Sequence, residues 1–277
     1  MGTATNRPLA VITGASTGIG FELAKQCVLH DFDVLICAED EGIHAAAHHL
    51  GATGAAVEAV HADLATLEGC EKLVEAVNAS GRPIDALLLN AGIGVGGAFL
   101  NTELDDEMRM IALNINAVVL LAKRLVPRMV ARGQGRVLIT ASVGATSPAP
   151  FLAVYGGTKA FDLAFAEALR FELKDTGVTV TALQPGATDT EFFERADMDN
   201  TKVAQGKKDD PEDVAKKGFD AMMAGKDKVV AASMKEKLED IAGELLPETT
   251  KAKMQAGQAR PGSAAKHTVR ELSKKHH

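Results

Sequence analysis

The chain has 277 residues, enough for one α/β domain or two small ones, and 46% of them are apolar, enough for a substantial buried core. Charged residues make up 24% and the formal net charge is -7, a balance that argues against a disordered chain and against nucleic acid as the main partner. The three cysteines, Cys27, Cys37 and Cys70, are odd in number and lack CxxC spacing, which argues against a disulfide scaffold or zinc site and fits a reducing cytoplasm.

In chain order, short apolar runs alternate with amphipathic segments. Leu9–Thr13 reads as a strand and Gly18–His30 as a helix; Asp33–Ala38 is a second strand and Ile43–Leu50 a helix. Ala56–His61 is a third strand, followed by helix Leu67–Ala79. Ile84–Asn90 is nearly unbroken apolar sequence, the mark of a strand buried on both faces. A long helix is expected over Asp105–Arg132, with a bend at Pro127. The apolar run Ala117–Ala122 inside it ends at Lys123 and Arg124, too short for a membrane span. Strand Arg136–Thr140, helix Val154–Lys174 and strand Val178–Leu183 follow. Residues 186–210 read as a loop with an apolar cluster at Phe192, Phe193 and Met198. Pro211 starts a helix capped by Asp210, Lys228–Ala232 is a last strand, and Met234–Leu246 is helical. The remainder is polar and expected to fray, with residues 261–277 as a solvated tail.

Repeated strand–helix units predict an α/β fold: a doubly wound, Rossmann-like parallel sheet of about seven strands with helices on both faces. Residues 1–260 are expected to form one dinucleotide-binding catalytic domain. Right-handed crossovers bring all strand C-termini to one edge, where the chemistry should lie.

The first strand runs into Thr13-Gly14-Ala15-Ser16-Thr17-Gly18-Ile19-Gly20. Three glycines let the backbone turn tightly beneath a pyrophosphate, and the following helix N-terminus offers free amides. The order Gly14-xxx-Gly18-x-Gly20 resembles the TGxxxGxG motif of the short-chain dehydrogenase/reductase family. Further positions match in order: Asp63-Leu64 after the third strand, Asn90-Ala91-Gly92 for the family's NNAG, with Leu89 in place of its first Asn, and Pro185-Gly186 with Thr188 and Thr190 for PGxxxT. The resemblance covers Pro8 to Ala232. It implies a nicotinamide cofactor held by Gly14, Ser16, Thr17, Gly18, Ile19, Gly20, Glu39, Asp63, Leu64, Asn90, Ala91, Gly92, Tyr155, Lys159, Pro185, Gly186, Thr188 and Thr190.

Tyr155 and Lys159 stand four apart, on one face of a helix. An ammonium near a phenol favours phenolate and is expected to lower the tyrosine pKa from its usual ~10, so that it can give or take a proton near neutrality. The pair falls in the family's YxxxK position. Ser142, thirteen residues earlier, matches the serine that orients the substrate oxygen, and Asn114 the asparagine that helps hold a relay water, with Asn116 as a rival. The implied reaction is hydride transfer between the nicotinamide and an alcohol or ketone, without a metal.

Glu39 ends the second strand and could accept ribose hydroxyls while repelling a 2′-phosphate; with Thr17 also non-basic, charge favours NAD over NADP, although the family's usual aspartate would fall at Ala38. Residues 186–210 resemble the family's substrate lid, and Ile93–Val95 and Val143–Ala145 should complete the pocket. Phe161, Phe165 and Leu169 share the Tyr155 helix, which in the family joins the preceding long helix in a homodimer or homotetramer interface. His44 and His48 have metal-ligand spacing but no evident third ligand. Two rival readings are a non-catalytic dinucleotide-binding regulator, which would not need Ser142, Tyr155 and Lys159 together, and an epimerase or dehydratase, which would need a longer substrate region.

Overall fold

A computed structural model describes residues 7–232 and 247–264. The expected helix at 234–246 and the tail beyond residue 264 lie outside them. The strands are β1 (Leu9–Thr13), β2 (Asp33–Ala38), β3 (Val57–His61), β4 (Ile84–Leu89), β5 (Gly135–Thr140), β6 (Val178–Pro185) and β7 (Lys228–Ala231). They form one seven-stranded sheet in the order β3-β2-β1-β4-β5-β6-β7, every neighbouring pair parallel. Every residue of β1 and β2 is buried, as unbroken apolar runs in a sheet covered on both faces require. Edge strand β3 is only partly buried.

Helices α1 (Gly18–Leu29), α2 (Gly42–Gly51) and α3 (Leu67–Ala79) follow the first three strands. One apolar core gathers Leu73, Leu87, Leu121, Leu125, Val137 and Val180 on one face of the sheet; the other gathers Ile12, Leu23, Ile36, Leu88, Leu138 and Phe219. Strand order reverses between β1 and β4, so their C-terminal ends splay and open a crevice.

The long helix expected over Asp105–Arg132 is three pieces: α4 (Leu104–Ile111), a π turn (Ala112–Ala117) and α5 (Val118–Arg132). The irregularity therefore falls at Asn114 and not at Pro127, which sits inside α5. The extra residue of a π turn re-aims the side chains around it. By length and hydropathy Leu104–Arg132 would suffice to cross a membrane, but Leu113, Ala117, Leu121, Leu125 and Met129 are buried in the core, which uses that apolar face. Gly133, at φ +70, ends α5 in the left-handed conformation.

A 3₁₀ turn (Val143–Thr146) leads to α6 (Ala153–Glu172). Segment 186–210, expected to be a loop, contains two short helices, α7 (Phe192–Arg195) and α8 (Lys202–Gln205). α9 (Pro211–Met223) begins at the expected cap: Asp210 Oδ1 accepts from Glu212 N–H at 2.8 Å. The polar stretch expected to fray instead carries α10 (Glu248–Ala259).

Candidate active site

The crevice is a cavity of about 640 Å³ that reaches from Glu39 and Asp63, past the glycine turn, to Ser142, Tyr155 and Lys159. Of the residues expected to hold a cofactor, all line it. Gly14 and Gly18 have φ +67 and +58, conformations that favour glycine. A Cβ on Gly20 would lie 1.9 Å from the Gly14 carbonyl oxygen, so the turn closes only without side chains. Thr17 caps α1 without a side-chain hydrogen bond, and the first turn holds no acid, which leaves amides and dipole available to an anion. Ser16 donates to Asp40 Oδ2 at 2.7 Å. A phosphate cradle, acidic groups at one end and a tyrosine at the other fit an extended dinucleotide.

Several of these residues brace the crevice. Thr13 Oγ1 accepts from the backbone N–H of Asn90 and of Ala91, at 2.9 and 3.0 Å. Asn90 donates to Thr13 O at 3.2 Å and accepts from Thr140 Oγ1 at 3.0 Å, tying β4 to both neighbours. Asn114 does not line the cavity. It is fully buried; its Oδ1 accepts from Ile93 N–H, and its Nδ2 donates to Ile93 O and Thr158 Oγ1, each at 3.0 Å. Its side chain is thus committed to bracing loop 90–93 against α6. Asn116, the rival, is exposed.

At the reacting end, Tyr155 is hydrogen-bonded to Ser142, whose Oγ also accepts from Gly144 N–H at 3.1 Å. Lys159 is buried; its Nζ donates to Thr140 O and to Asp162 Oδ2, both at 3.0 Å. The expectation of a lowered tyrosine pKa is overturned for the free protein. Burial pushes the Tyr155 phenol above its ordinary value, outweighing the downward pull of Lys159 and of the Ser142 hydrogen bond. Asp162 adds to the rise.

Segment 186–210 folds over this end. The Phe192 ring packs on Tyr155 with centroids 5.2 Å apart, while Phe193 and Met198 sink into a small core with Ala196, Ala204 and Ala259. Of the expected pocket residues Ile93, Gly94, Val143 and Gly144 line the cavity, whereas Val95 and Ala145 do not. Leu152, and Lys251, Met254, Gln255 and Gln258 of α10, were not foreseen and also line it.

Arg109 is a further residue that sequence reasoning missed. It reaches from α4 to pair with Glu39 and, at 2.8 Å, with Asp63, so a cation stands beside both acids at the adenosine end. Burial works against the Asp63 carboxylate, yet the Arg109 hydrogen bond holds its pKa below the ordinary value. Nearby, His44 converges not with His48 but with Glu41 and His61, whose ligand atoms lie within 4.8 Å of one another.

The family model for short chain dehydrogenases matches residues 8–201. A 1-deoxy-11-beta-hydroxypentalenate dehydrogenase of Streptomyces exfoliatus is 37% identical over 65% of this chain and 67% of its own. Some other relatives are longer: the alignment spans 15% of a glycine betaine reductase of Emericella nidulans and 31% of a probable oxidoreductase of Mycobacterium bovis. Among solved structures, a short-chain dehydrogenase from Sphingobium yanoikuyae in complex with NADPH shares 29% identity and superposes with a TM-score of 0.77, covering 86% of this chain and 93% of that one. The 3-ketoacyl-(acyl-carrier-protein) reductase of Brucella melitensis, complexed with NADH, shares 28% identity at a TM-score of 0.70, covering 81% and 94%. The chain belongs to the short-chain dehydrogenase family, as an oxidoreductase that exchanges hydride between a nicotinamide cofactor and an alcohol or ketone.

Proposed function

We propose that Tyr155 is the general acid–base of this oxidoreductase, that Ser142 orients the substrate oxygen, and that Lys159 acts on both the phenol and the cofactor ribose. The observation that carries the reading is the convergence of Tyr155, Ser142 and Lys159 at one end of a cavity whose other wall is the Gly14–Gly20 turn. In reduction Tyr155 gives its proton to the carbonyl oxygen; in oxidation it takes the hydroxyl proton. Ser142 donates a hydrogen bond to the same oxygen. Lys159 has three N–H donors and spends two on Thr140 and Asp162, so the third is free to serve the ribose hydroxyls. The nicotinamide, when bound, supplies or accepts the hydride. Asn114 keeps loop 90–93 and α6 in register, and Phe192 shields Tyr155 from water. The expected boundary of the catalytic domain at residue 260 moves to at least Ala264, because Gly262 and Ala264 donate to Asn200 and Ser263 Oγ accepts from Lys202 N–H, with 186–210 as the substrate lid.

Ile93, Val143, Leu152 and Phe192 make the wall beside Tyr155 apolar, which suits a secondary alcohol or ketone with an apolar body. Glu39 favours NAD, since its carboxylate matches ribose hydroxyls and repels a 2′-phosphate. A second reading, use of NADP, is favoured by Arg109, whose guanidinium would pair with that phosphate if it left Glu39. On α6, Phe161 and Phe165 stack at 5.6 Å and 11° on a half-buried surface, while Met108 and Phe171 are exposed; together they suit a homodimer or homotetramer, which gel filtration would test. The three cysteines are buried and free, as suits the reducing cytoplasm.

A panel of alcohols and ketones, read by absorbance of reduced nicotinamide with each cofactor, tests the reaction. Tyr155→Phe should retain cofactor binding and lose turnover by a factor of about 10² to 10⁴, and full turnover in that variant would refute the role of Tyr155. The panel also separates this reading from a non-catalytic regulator and from an epimerase or dehydratase.

A further inference from the structure

Asp162 is a buried acid to which the mechanism gives no role. It follows Lys159 by three residues on α6, where Leu163 and Ala166 are core. Its Oδ2 pairs with Lys159 Nζ at 3.0 Å. Its Oδ1 is buried with no hydrogen-bond partner among the described residues. An apolar side chain would satisfy the core at lower cost, because a carboxylate in this position loses its hydration and recovers it through one oxygen only. What it gains is contact with the ammonium group that acts on Tyr155.

We propose that Asp162 is a positioning residue that shares the charge of Lys159, weakening the pull of that ammonium on Tyr155 and so disfavouring the phenolate that would take a proton from an alcohol. The proposal rests on the reading of Tyr155 as general acid–base. Lys159 can act on the phenol only with the charge that Asp162 leaves uncompensated. The two side chains therefore oppose each other, the lysine pulling the phenol's proton affinity down and the aspartate pushing it up. Burial raises the Asp162 carboxyl above its ordinary range, while the Lys159 ammonium 3.0 Å away pulls it back down. Lys159 and Asp162 are the charged groups acting on Tyr155. The groups that touch the trio from other elements, the Thr140 carbonyl of β5, Ser142 and the Phe192 ring of α7, are neutral, while Glu191, Arg195, Lys202, Lys207 and Lys251 also line the cavity.

The chain offers a direct test, because Tyr155 is its one tyrosine and it has no tryptophan. Phenolate absorbance of the full-length, cofactor-free protein then reports Tyr155 alone, and Tyr155→Phe supplies the blank. Asp162→Asn and Asp162→Leu should lower the midpoint by about one pH unit, as expected when one partial charge in the interior is removed, with far-ultraviolet circular dichroism unchanged. Asp162→Glu, which restores the charge, should return it towards the wild-type value. In turnover, the pH at which alcohol oxidation rises should fall by the same amount, with KM little moved. Midpoints for both neutral variants at or above the wild-type value would overturn the proposal. So would failure of both to fold, since Asp162 would then be a requirement of the core. The titration needs no substrate: a chain inert towards alcohols and ketones would refute the functional reading and leave the phenol midpoint to decide the role of Asp162.

Discussion

Thr13→Val tests whether the crevice is held open from beneath. Valine keeps the shape and β-branching of threonine, so β1 should pack as before, but it removes the oxygen that accepts from Asn90 N–H at 2.9 Å and Ala91 N–H at 3.0 Å. The hydroxyl's donation to Leu88 O, at 3.4 Å, is long and contributes little. An unsatisfied backbone donor costs about 1–3 kcal/mol, and the half-buried Asn90 and Ala91 border a cavity that water can enter, so the low end applies to each. Two orphaned donors then give about 2 kcal/mol, or a fall in Tm on the order of 4–8 °C for a domain of this size. Loop 90–92 would lose one of its anchors as well, weakening reduced-nicotinamide binding by about tenfold, or ~1.4 kcal/mol. Thr13→Ser retains the oxygen and loses only a methyl group, about 0.8 kcal/mol. Thermal melts and fluorescence titration with reduced nicotinamide measure both effects. A valine variant that matches wild type in Tm and Kd, or a serine variant as impaired as valine, would refute the argument.

Glu39→Arg removes the acid beside the ribose and releases Arg109 from one partner; the kcat/KM ratio of NADP to NAD should rise at least about tenfold, and a fixed ratio would show that Glu39 does not govern cofactor choice. Gly92→Ala places a methyl 3.2 Å from Lys159 Nζ and 3.3 Å from Asn114 Oδ1; displacing the lysine by a few tenths of an ångström should cost on the order of tenfold in kcat, and unchanged turnover would argue that the lysine has room to move. Asp63, whose pKa is held down in the folded state, binds protons less readily there than in the unfolded chain, so its contribution to stability is present above its unfolded pKa of about 3.9 and is lost as pH falls through the folded value. Acid unfolding of Asp63→Asn should be less steep over that window, and identical acid limbs would remove Asp63 from the account.

The sheet was legible because β1, β2 and β4 are nearly unbroken apolar runs. β1 and β2 fall on their expected bounds, and the strand–helix alternation carried the parallel, doubly wound sheet though not its strand order. The braces were not legible. Arg109 meets Asp63 and Glu39 across separations of 46 and 70 residues, and no local pattern ties those positions. α7 and α8 have four residues each, too few to show a period. α10 is polar enough to read as a fraying tail, yet Lys251, Met254, Gln255 and Gln258 recur at helical spacing along its cavity face, a signal that was present. Asp162 was also visible, as an acid on a face otherwise occupied by Leu163 and Ala166.

The expected drop in the tyrosine's pKa failed for a reason that spacing cannot carry. Four residues along a helix bring an ammonium near a phenol, but the effect of that ammonium depends on what else it touches. Here Thr140 O and Asp162 take two of its three donors, so burial dominates the phenol until a ligand changes the balance. Glycine at position 92 fits those fixed partners: a Cβ there would stand 3.2 Å from the ammonium and press it out of place by a few tenths of an ångström. The loop that makes this room hangs from Thr13, and Thr13 leads straight into the turn at Gly14. The Gly14 turn and the loop beside Lys159 are thus joined through one threonine hydroxyl, so a disturbance at either end of the crevice should be felt at the other.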